Sequence, residues 1–370
     1  MSTDVVIAGG GVIGLSLARK LARAGRSVTL IERQQLGQEA SWAGAGILPP
    51  GNLSGATAPF DRLRALSVQM WPQLSRHLFE ETGLDNGFWD CGGLTVSLGE
   101  TLSEPYRREW SEEGVELEEL DGAGLRRYES ELSTEISEGF RLPGLCQVRN
   151  PWHLQTLAEA CRKAGVVLRE NEPVRSFQQD GGRITSVETD RGKIEADQFC
   201  VTAGAWTSKL LQDAGYTLSI VPIRGQIVLY KTDTPVIRHV IEVGKRYLVP
   251  RDDGRLLVGS TEEEAGFEKV TTEESLAELQ RFAVELVPAL GSATVEKTWA
   301  GLRPMSQTGS PFLGLLPGMD NLFVAAGHFR AGLQTSPATG LVMKQLMCGE
   351  PTALDLDGFS VDASCVESSS

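Results

Sequence analysis

A glycine-rich turn between an apolar strand and a helix, close to the start of the chain, constrains the fold more than any other feature. Residues 3–8 predict a buried strand, residues 9–14 read Gly-Gly-Gly-Val-Ile-Gly, and residues 15–24 predict a helix. A second strand over 27–31 ends on Glu32. This strand, G-x-G-x-x-G turn, helix and acid-terminated strand form the fingerprint of a dinucleotide-binding unit.

Each glycine of the turn has a physical role in that interpretation. Gly9 makes the tight turn, Gly11 lets the backbone approach a pyrophosphate, and Gly14 allows close helix packing. The N–H groups at the helix start then face the phosphates. Glu32 would accept hydrogen bonds from ribose hydroxyls and repel a 2′-phosphate, which argues against NADP. The motif alone does not choose between FAD and NAD, and an ordinary strand–helix–strand unit is the alternative.

Composition excludes some classes of partner. The chain has 370 residues, and 35 Lys and Arg stand against 49 Asp and Glu for a net charge of −14. Nucleic acid is therefore not expected as a partner, because phosphate binding needs a basic face. The length suits two closely connected domains, and 41% apolar residues suffice for an ordinary interior.

The six cysteines are scattered without a C-x-x-C pair, and the four histidines lack metal-ligand spacing. We therefore predict no metal site and no disulfide framework. The sequence shows neither a cleavable leader nor an apolar stretch long enough to span a membrane. We expect a soluble cytoplasmic protein.

Predicted elements alternate between two patterns along the chain. Helices are predicted over 52–89, 151–164, 273–287 and 337–347, and the acidic segment 100–132 is predicted to be surface helix. An apolar strand over 198–206 and another over 321–326 each end in a glycine turn. Between them, 225–230, 239–243, 246–249 and 256–260 predict antiparallel strands, the last two joined by a turn over 251–254.

This order predicts an α/β fold: a Rossmann-like cofactor-binding domain interleaved with an antiparallel-sheet substrate domain. The predicted cofactor-binding domain takes 1–90, 145–218 and 310–360, and the substrate-binding domain takes 91–144 and 219–309. Residues 361–370 are predicted to be a flexible tail. Since a simple NAD dehydrogenase keeps its dinucleotide domain in one block, the interleaving favours a two-domain flavoprotein.

Several further segments resemble the D-amino-acid oxidase family of FAD enzymes, most closely the glycine oxidases of thiamine biosynthesis. They are Ser41-Trp42-Ala43-Gly44-Ala45-Gly46-Ile47-Leu48, Val201-Thr202-Ala203-Gly204-Ala205-Trp206, Tyr247-Leu248-Val249-Pro250-Arg251, Gly301-Leu302-Arg303-Pro304 and Gly327-His328-Phe329-Arg330-Ala331-Gly332. Together with the N-terminal turn they extend over nearly the whole chain.

The resemblance implies a set of cofactor-binding residues. Ala43–Ile47 would pass the flavin ring, Val174 would hold the adenine side, Gly204 would lie under the ribityl–phosphate region, and 327–332 would wrap the flavin edge. The full predicted set is Gly9, Gly11, Val12, Ile13, Gly14, Glu32, Arg33, Ser41, Ala43, Gly44, Ala45, Gly46, Ile47, Val174, Ala203, Gly204, Trp206, Gly327, His328, Phe329, Arg330, Ala331, Gly332 and Leu333. Because no cysteine lies between Cys200 and Cys348, the FAD is expected to be non-covalent.

The same resemblance implies a substrate site. Arg303 would anchor the carboxylate of an amino acid, because a guanidinium matches a carboxylate through two parallel hydrogen bonds. Tyr247 would add a phenolic hydrogen bond, and Arg330 would polarise the site or hold its loop. Glu262 stands where an apolar pocket residue was expected; it would favour an amine if it faced the cavity, and we predict that it faces solvent. A structural ion pair is the alternative role for Arg303.

The expected reaction is FAD-dependent oxidation of glycine, and of sarcosine or small D-amino acids, by hydride transfer without an acid or base residue. His328 is predicted to be structural. The imine would hydrolyse to a 2-oxo acid and ammonia, O2 would become H2O2, and the product would serve thiamine thiazole synthesis. The expected partners are thus a small amino acid and O2, in a homo-oligomer. A D-amino-acid dehydrogenase with another electron acceptor, or a non-catalytic flavin subunit, is the alternative.

Overall fold

The computed structural model describes residues 3–98 and 104–361. Of the predicted tail, only Val361 lies within the described residues. The strands are β1 (Thr3–Ala8), β2 (Val28–Ile31), β3 (Ile47–Leu48), β4 (Gly93–Val96), β5 (Glu118–Asp121), β6 (Glu138–Leu142), β7 (Cys146–Gln147), β8 (Val167–Arg169), β9 (Val174–Asp180), β10 (Arg183–Thr189), β11 (Gly192–Val201), β12 (Ile220–Lys231), β13 (Val240–Val243), β14 (Arg246–Pro250), β15 (Arg255–Gly259), β16 (Thr294–Ser306), β17 (Phe312–Leu315) and β18 (Leu322–Ala326).

The α-helices are α1 (Val12–Arg23), α2 (Ala40–Ala43), α3 (Pro59–Thr82), α4 (Glu104–Glu113), α5 (Gly122–Tyr128), α6 (Asn150–Lys163), α7 (Thr207–Leu211), α8 (Glu273–Leu286) and α9 (Gly332–Met347). Short 3-10 turns lie at Gly204–Trp206, Gln212–Ala214, Pro288–Ser292, Phe329–Ala331 and Asp357–Phe359. Within the described residues, no helix is long and apolar enough to cross a membrane.

The first sheet has the parallel order expected of a dinucleotide fold. Its main path is β17-β18-β11-β1-β2-β8, with β10 and β9 continuing from β11. The pairs β1–β2, β1–β11, β11–β18 and β2–β8 are all parallel. Helices α1, α6 and α9 cover one face through a core that includes Leu15, Leu157 and Met343. The carboxyl ends of β1, β2, β11 and β18 therefore lie at one edge of the sheet.

The second sheet is antiparallel apart from its β13–β4 pair, and its order is β16-β12-β15-β14-β13-β4-β6-β5. Helix α8 packs on one face through Leu279, Phe282 and Leu286. The two sheets, drawn from alternating stretches of the chain, confirm the mixed α/β class. The domain boundaries given above stay a prediction.

Three predicted helices differ from the structure. The prediction of helix over 100–132 is wrong in its described part, where α4 is followed by the edge strand β5 and the short α5. Gly114, with φ of +71°, interrupts the helix. The predicted helix 52–89 is shorter and becomes α3, which begins at Pro59 and ends before Gly83 (φ +75°).

The third helix, α9, begins five residues before the predicted start at Pro337. Proline has no N–H to donate to the carbonyl of Leu333. The Ser336 hydroxyl donates to that carbonyl instead, at 2.9 Å. The helix therefore continues through Pro337 with its backbone acceptor satisfied.

Candidate functional site

A cavity of about 700 Å³ opens where the carboxyl ends of the parallel strands face the second sheet. Its wall includes the turns that follow β1, β2, β11 and β18, and side chains of β12, β13, β14 and β16. Ligands of open α/β sheets bind outside the carboxyl ends of the strands. The volume lies in the usual range for small-molecule and cofactor pockets.

The glycine turn after β1 is packed against the turn after β11. Gly9 has φ of +120°, and a Cβ there would lie 2.5 Å from the carbonyl oxygen of Thr202. The Thr202 hydroxyl donates to the Gly9 carbonyl at 2.7 Å. A Cβ on Gly14 would overlap that same Gly9 oxygen. Only glycine at positions 9 and 14 allows α1 to begin so close to both strands.

The start of α1 and the end of β2 form one end of the cavity. No side chain caps α1 at Gly11, and the Val12 N–H donates to the Ser41 hydroxyl at 3.0 Å. The Glu32 carboxylate accepts from the N–H of Gly10 at 2.8 Å and from that of Gln34 at 3.0 Å. This end thus offers both backbone donors and an anionic acceptor.

Residues 43–47 form the wall between the two sheets. The indole N–H of Trp299 donates to the Ala43 carbonyl at 3.0 Å, and Arg251 donates to the Ala45 carbonyl at 2.7 Å. A Cβ on Gly301 would lie 2.5 Å from that of Ala43. The small residues of this segment therefore permit close approach of β16, and their predicted approach to a flavin ring stays a prediction.

Arg303 lies on β16 of the second sheet, and its guanidinium covers Gly225 of the neighbouring strand β12. Its guanidinium donates to the Ser260 hydroxyl at 2.6 Å and to the Thr261 carbonyl at 3.1 Å, and a Cβ on Gly225 would collide with it. Burial lowers the pKa of Arg303 from its usual value, and the neighbouring Tyr247 opposes that shift. Among the described residues its guanidinium bonds to neutral oxygens and forms no ion pair, while the charge of Glu262 acts on it from a greater distance. The geometry therefore favours an anion-binding role for Arg303 over a structural ion pair, and that role stays a prediction.

Tyr247 lies beside Arg303 in the same wall. Its buried ring packs over Gly259, where a Cβ would come within 2.7 Å of the ring. Gly225 and Gly259 were missed as site residues. An isolated glycine inside a strand often marks a close approach of other groups, and that signal was present in the sequence.

Arg330 reaches the cavity wall from the turn after β18. It donates to the Glu262 carboxylate at 3.1 Å and to the Lys245 carbonyl at 3.0 Å. Glu262 also pairs with the Lys245 ammonium at 2.7 Å, and its side chain is 19% exposed. Glu262 is not part of the cavity wall; two ion pairs hold its partly exposed carboxylate behind Arg330, and the prediction that it faces solvent rather than the cavity stays a prediction.

His328 is buried, and its Nε2 lies 3.1 Å from the Thr339 hydroxyl. Burial lowers the pKa of His328 to about 3, so its imidazole is neutral at physiological pH. This agrees with a structural histidine. Among the described residues, no cluster of His, Cys, Asp and Glu side chains could hold a metal ion.

Glu242 is a site residue that the sequence interpretation missed. It lines the cavity from β13, directly across from Tyr247 on β14. Burial raises the pKa of its carboxyl to about 7, and the positive charge of Arg330 opposes the shift. The two-residue turn at Gly244 and Lys245 fixes this pairing. That turn was the signal in the sequence that could have identified Glu242.

All but one of the predicted site residues lie in the wall of this cavity. The exception is Gly14, which instead allows the helix to approach β1. The structure thus brings together residues 9–13, 32–33, 41–47, 174, 203–206, 327–333, Tyr247 and Arg303. Their individual roles toward a ligand stay predictions.

Comparisons with a family model and with known proteins agree on one family for this chain. Residues 4–346 match the family model described as FAD dependent oxidoreductase. A glycine oxidase from Pseudomonas aeruginosa is 36% identical over 357 residues, covering 96% of this chain and 97% of that protein. The bifunctional protein ThiO/ThiG of Synechocystis is 31% identical over 366 residues, which are 97% of this chain and 54% of that protein.

The same similarity holds for the fold. The crystal structure of glycine oxidase from Geobacillus kaustophilus superimposes with a TM-score of 0.92 at 31% identity. The match covers 97% of this chain and 98% of that structure. Both sheets described above therefore have counterparts in an enzyme of known structure.

Proposed function

The chain belongs to the family of FAD-dependent oxidoreductases, and from that premise we propose that it is a glycine oxidase that uses non-covalent FAD. The observation that carries the proposal is the cavity itself. It extends from the phosphate-type turn at α1 and the acid Glu32 to Arg303 on the second sheet, which has no ion-pair partner among the described residues. One end suits a dinucleotide and the other suits a carboxylate.

The residues present fit FAD. The start of α1 lies in the cavity wall beside the Ser41 hydroxyl, and its backbone N–H groups together with that hydroxyl would serve a pyrophosphate. Glu32 and Ser41 lie at that end of the cavity. The rest of the wall on the side of the first sheet includes Ala43–Ile47, Ala203–Trp206 and the turn after β18. When bound, FAD supplies the hydride acceptor for the α-hydrogen of the amino acid and a route for the electrons to O2.

Arg303 and Tyr247 would hold the substrate. The guanidinium fork binds the carboxylate of glycine, and the Tyr247 hydroxyl donates to the same group. Both side chains project from one face of a rigid sheet, which fixes the position of the α-carbon. Arg330, held by Glu262, closes the same end of the cavity.

The products would be the imine, which hydrolyses to a 2-oxo acid and ammonia, and H2O2. Similarity to the ThiO/ThiG protein supports the proposal that the imine serves thiamine thiazole synthesis. Sarcosine and small D-amino acids would be further substrates. A homo-oligomer in the cytoplasm is part of the same proposal.

We expect Glu32→Gln to weaken FAD binding about 10-fold. The carboxylate oxygens accept from the N–H groups of Gly10 and Gln34 and keep lone pairs for the ribose hydroxyls of FAD; the amide has one acceptor oxygen, so a ribose hydroxyl loses its acceptor. A lost hydrogen bond to a charged group costs about 1.5 kcal/mol, which corresponds to about tenfold in affinity. FAD titration of the apoprotein measures it. Glu350→Gln, which removes an exposed acid paired with Lys344, is the matched control, and equal affinities for the two variants would contradict the role of Glu32.

The function itself is tested by anaerobic addition of glycine to the yellow holoenzyme. We expect the visible absorbance of oxidised flavin to disappear, and to return with formation of H2O2 when air is admitted. Fast reduction followed by slow recovery in air, with rapid turnover of an artificial acceptor, would identify a dehydrogenase instead. Flavin that glycine and small D-amino acids leave oxidised would refute the amino-acid oxidase assignment.

A further inference from the structure

Glu242 and Arg303 lie on the same face of the second sheet. Across neighbouring strands, Glu242 pairs with Tyr247, Tyr247 with Gly259, and Gly259 with Ile227. Ile223, four residues before Ile227 on β12, pairs with Arg303 on β16. Directly opposed residues and residues two or four apart share one face of a sheet. The acid and the arginine therefore line the cavity together, with Tyr247 between them.

Within the described part of the chain, the Glu242 carboxyl makes no hydrogen bond and no ion pair. The other acids of the cavity wall are Glu32, Glu39 and Asp213. Glu32 accepts from backbone N–H groups and Glu39 pairs with Arg33 and Lys269, while Asp213 lies in the turn after α7, away from the second sheet. A part-buried carboxyl without a partner is costly unless a ligand satisfies it. Glu242 thus combines a position in the cavity wall with a carboxyl that is available to bind a ligand.

Described residues from three elements lie next to Glu242. Tyr247 approaches from β14, Thr95 from β4, and the charged Arg330 from the turn after β18. Lys245 and Glu262 are paired with each other behind Arg330. The nearby cation keeps a share of Glu242 ionised near neutral pH, while burial makes the carboxylate ready to take a proton.

We propose that Glu242 binds the α-ammonium of the amino-acid substrate and accepts one of its protons, while Arg303 holds the carboxylate. The inference rests on the proposed function and adds a residue to it. In this step one N–H bond of the ammonium breaks, its electron pair stays on nitrogen as the lone pair, and an O–H bond forms on Glu242. Nothing is oxidised or reduced, and the proton later leaves to solvent.

The step has a chemical purpose. Removal of a hydride from the α-carbon is assisted by a nitrogen lone pair, and an ammonium has none. A positioned proton acceptor whose pKa lies near the working pH contributes about 10²–10⁴-fold to such reactions. An amino acid also carries its two opposite charges on one carbon, and Glu242 and Arg303 on this face carry the two complementary charges.

The test compares anaerobic flavin reduction by glycine in wild type, Glu242→Gln and Glu242→Asp between pH 5 and pH 10. We expect the wild-type rate to rise through an apparent pKa near 7 and to level off. Glu242→Gln is expected to lose about 100-fold at pH 7 and to rise only where the free substrate amine loses its own proton. Glu242→Asp, which keeps a carboxylate, is expected to retain the low-pH limb.

Two controls separate proton transfer from a structural effect. Glycolate has the carboxylate but no amine, and we expect its affinity, followed by the flavin absorbance, to be unchanged or tighter in Glu242→Gln. Glu296→Gln removes an exposed acid of the same sheet, paired with Arg255, and is expected to behave as wild type. A Glu242→Gln variant with the wild-type pH profile, or with glycolate and glycine weakened equally, would overturn the assignment of Glu242. Wild-type flavin that glycine does not reduce would overturn the proposed function first.

A readout without substrate is the thermal stability of the holoenzyme. Because the folded-state pKa of Glu242 is raised, its ionisation costs stability increasingly as pH rises from its ordinary value of 4.5 to about 7. Glu242→Gln is therefore expected to have a higher Tm than wild type at pH 8 and the same Tm near pH 4.5. Parallel Tm curves over that range would mean that the carboxyl has a partner in the folded protein and would overturn the proposal.

Discussion

Arg303→Ala is expected to raise the KM for glycine by about 10²–10³-fold while FAD stays bound. The guanidinium gives two hydrogen bonds to the carboxylate, and truncating one partner of a charged pair costs about 3–4 kcal/mol, where each 1.4 kcal/mol is tenfold. The carboxylate is held in the ground state and the transition state alike, so the loss falls mainly on KM rather than on kcat. Steady-state kinetics with glycine, together with the flavin content of the purified variant, measure both quantities.

Two further arginine variants make this result specific. Arg303→Lys keeps the charge but loses the planar fork, and we expect an intermediate KM. Arg255→Ala removes an arginine of the same sheet that pairs with Asp253 and Glu296 outside the cavity, and its KM is expected to stay at the wild-type value. Added guanidinium ion should partly restore Arg303→Ala. An unchanged KM in Arg303→Ala would remove this residue from the substrate site.

Gly14→Ala is the second change with a large expected effect, a loss of FAD affinity of about 100-fold. Alanine favours a helix over glycine by about 1 kcal/mol. Here that gain is outweighed, because the new Cβ would overlap the carbonyl oxygen of Gly9 and lie 2.7 Å from the Thr202 hydroxyl. Overpacking against fixed backbone costs about 3 kcal/mol, and it pushes α1 away from the phosphate-type turn. FAD titration of the apoprotein measures the loss.

A matched glycine tests whether the effect comes from this contact. Gly291 is exposed, and the nearest atom to an added Cβ there is Val284 Cγ1 at 3.7 Å, an ordinary contact. Gly291→Ala is therefore expected to bind FAD as wild type does. If Gly14→Ala also kept full affinity, α1 would not need its close approach to β1.

The local residue pattern was enough to predict those elements whose own residues show a clear periodicity or turn motif. The turn over 9–14 lies between a run of apolar residues and an amphipathic helix, and both form as predicted. The β14–β15 hairpin follows from its turn residues in the same way. The acidic segment 100–132 failed for the opposite reason. The segment is rich in charged residues and lacks apolar residues at a regular helical or strand spacing. Nothing local therefore distinguished the edge strand β5 from a helix.

The candidate site was predictable where the chain presents recognisable segments, and less so where it depends on register. Residues 41–47 and 327–333 were identified as segments and lie in one cavity wall. Glu242 was overlooked although the turn at Gly244 and Lys245 pairs it with Tyr247, because the sequence does not show which face of that hairpin lines a cavity. The ion pairs of Glu262 were not predictable either, since only the fold brings Lys245 and Arg330 to it.

By itself the sequence determined the α/β class, the phosphate-type turn and the residue types available for an anion and a cofactor. These properties depend on interactions between residues that are close in the chain, and composition and periodicity are enough to predict such interactions. The tertiary structure alone decided that Arg303 bonds to the neutral oxygens of Ser260 and Thr261, that Gly225 and Gly259 make room for Arg303 and Tyr247, and that Glu242 shares their face. Those facts depend on strand register and on the packing of two sheets, because a shift of one residue in register would turn each of these side chains away from the cavity.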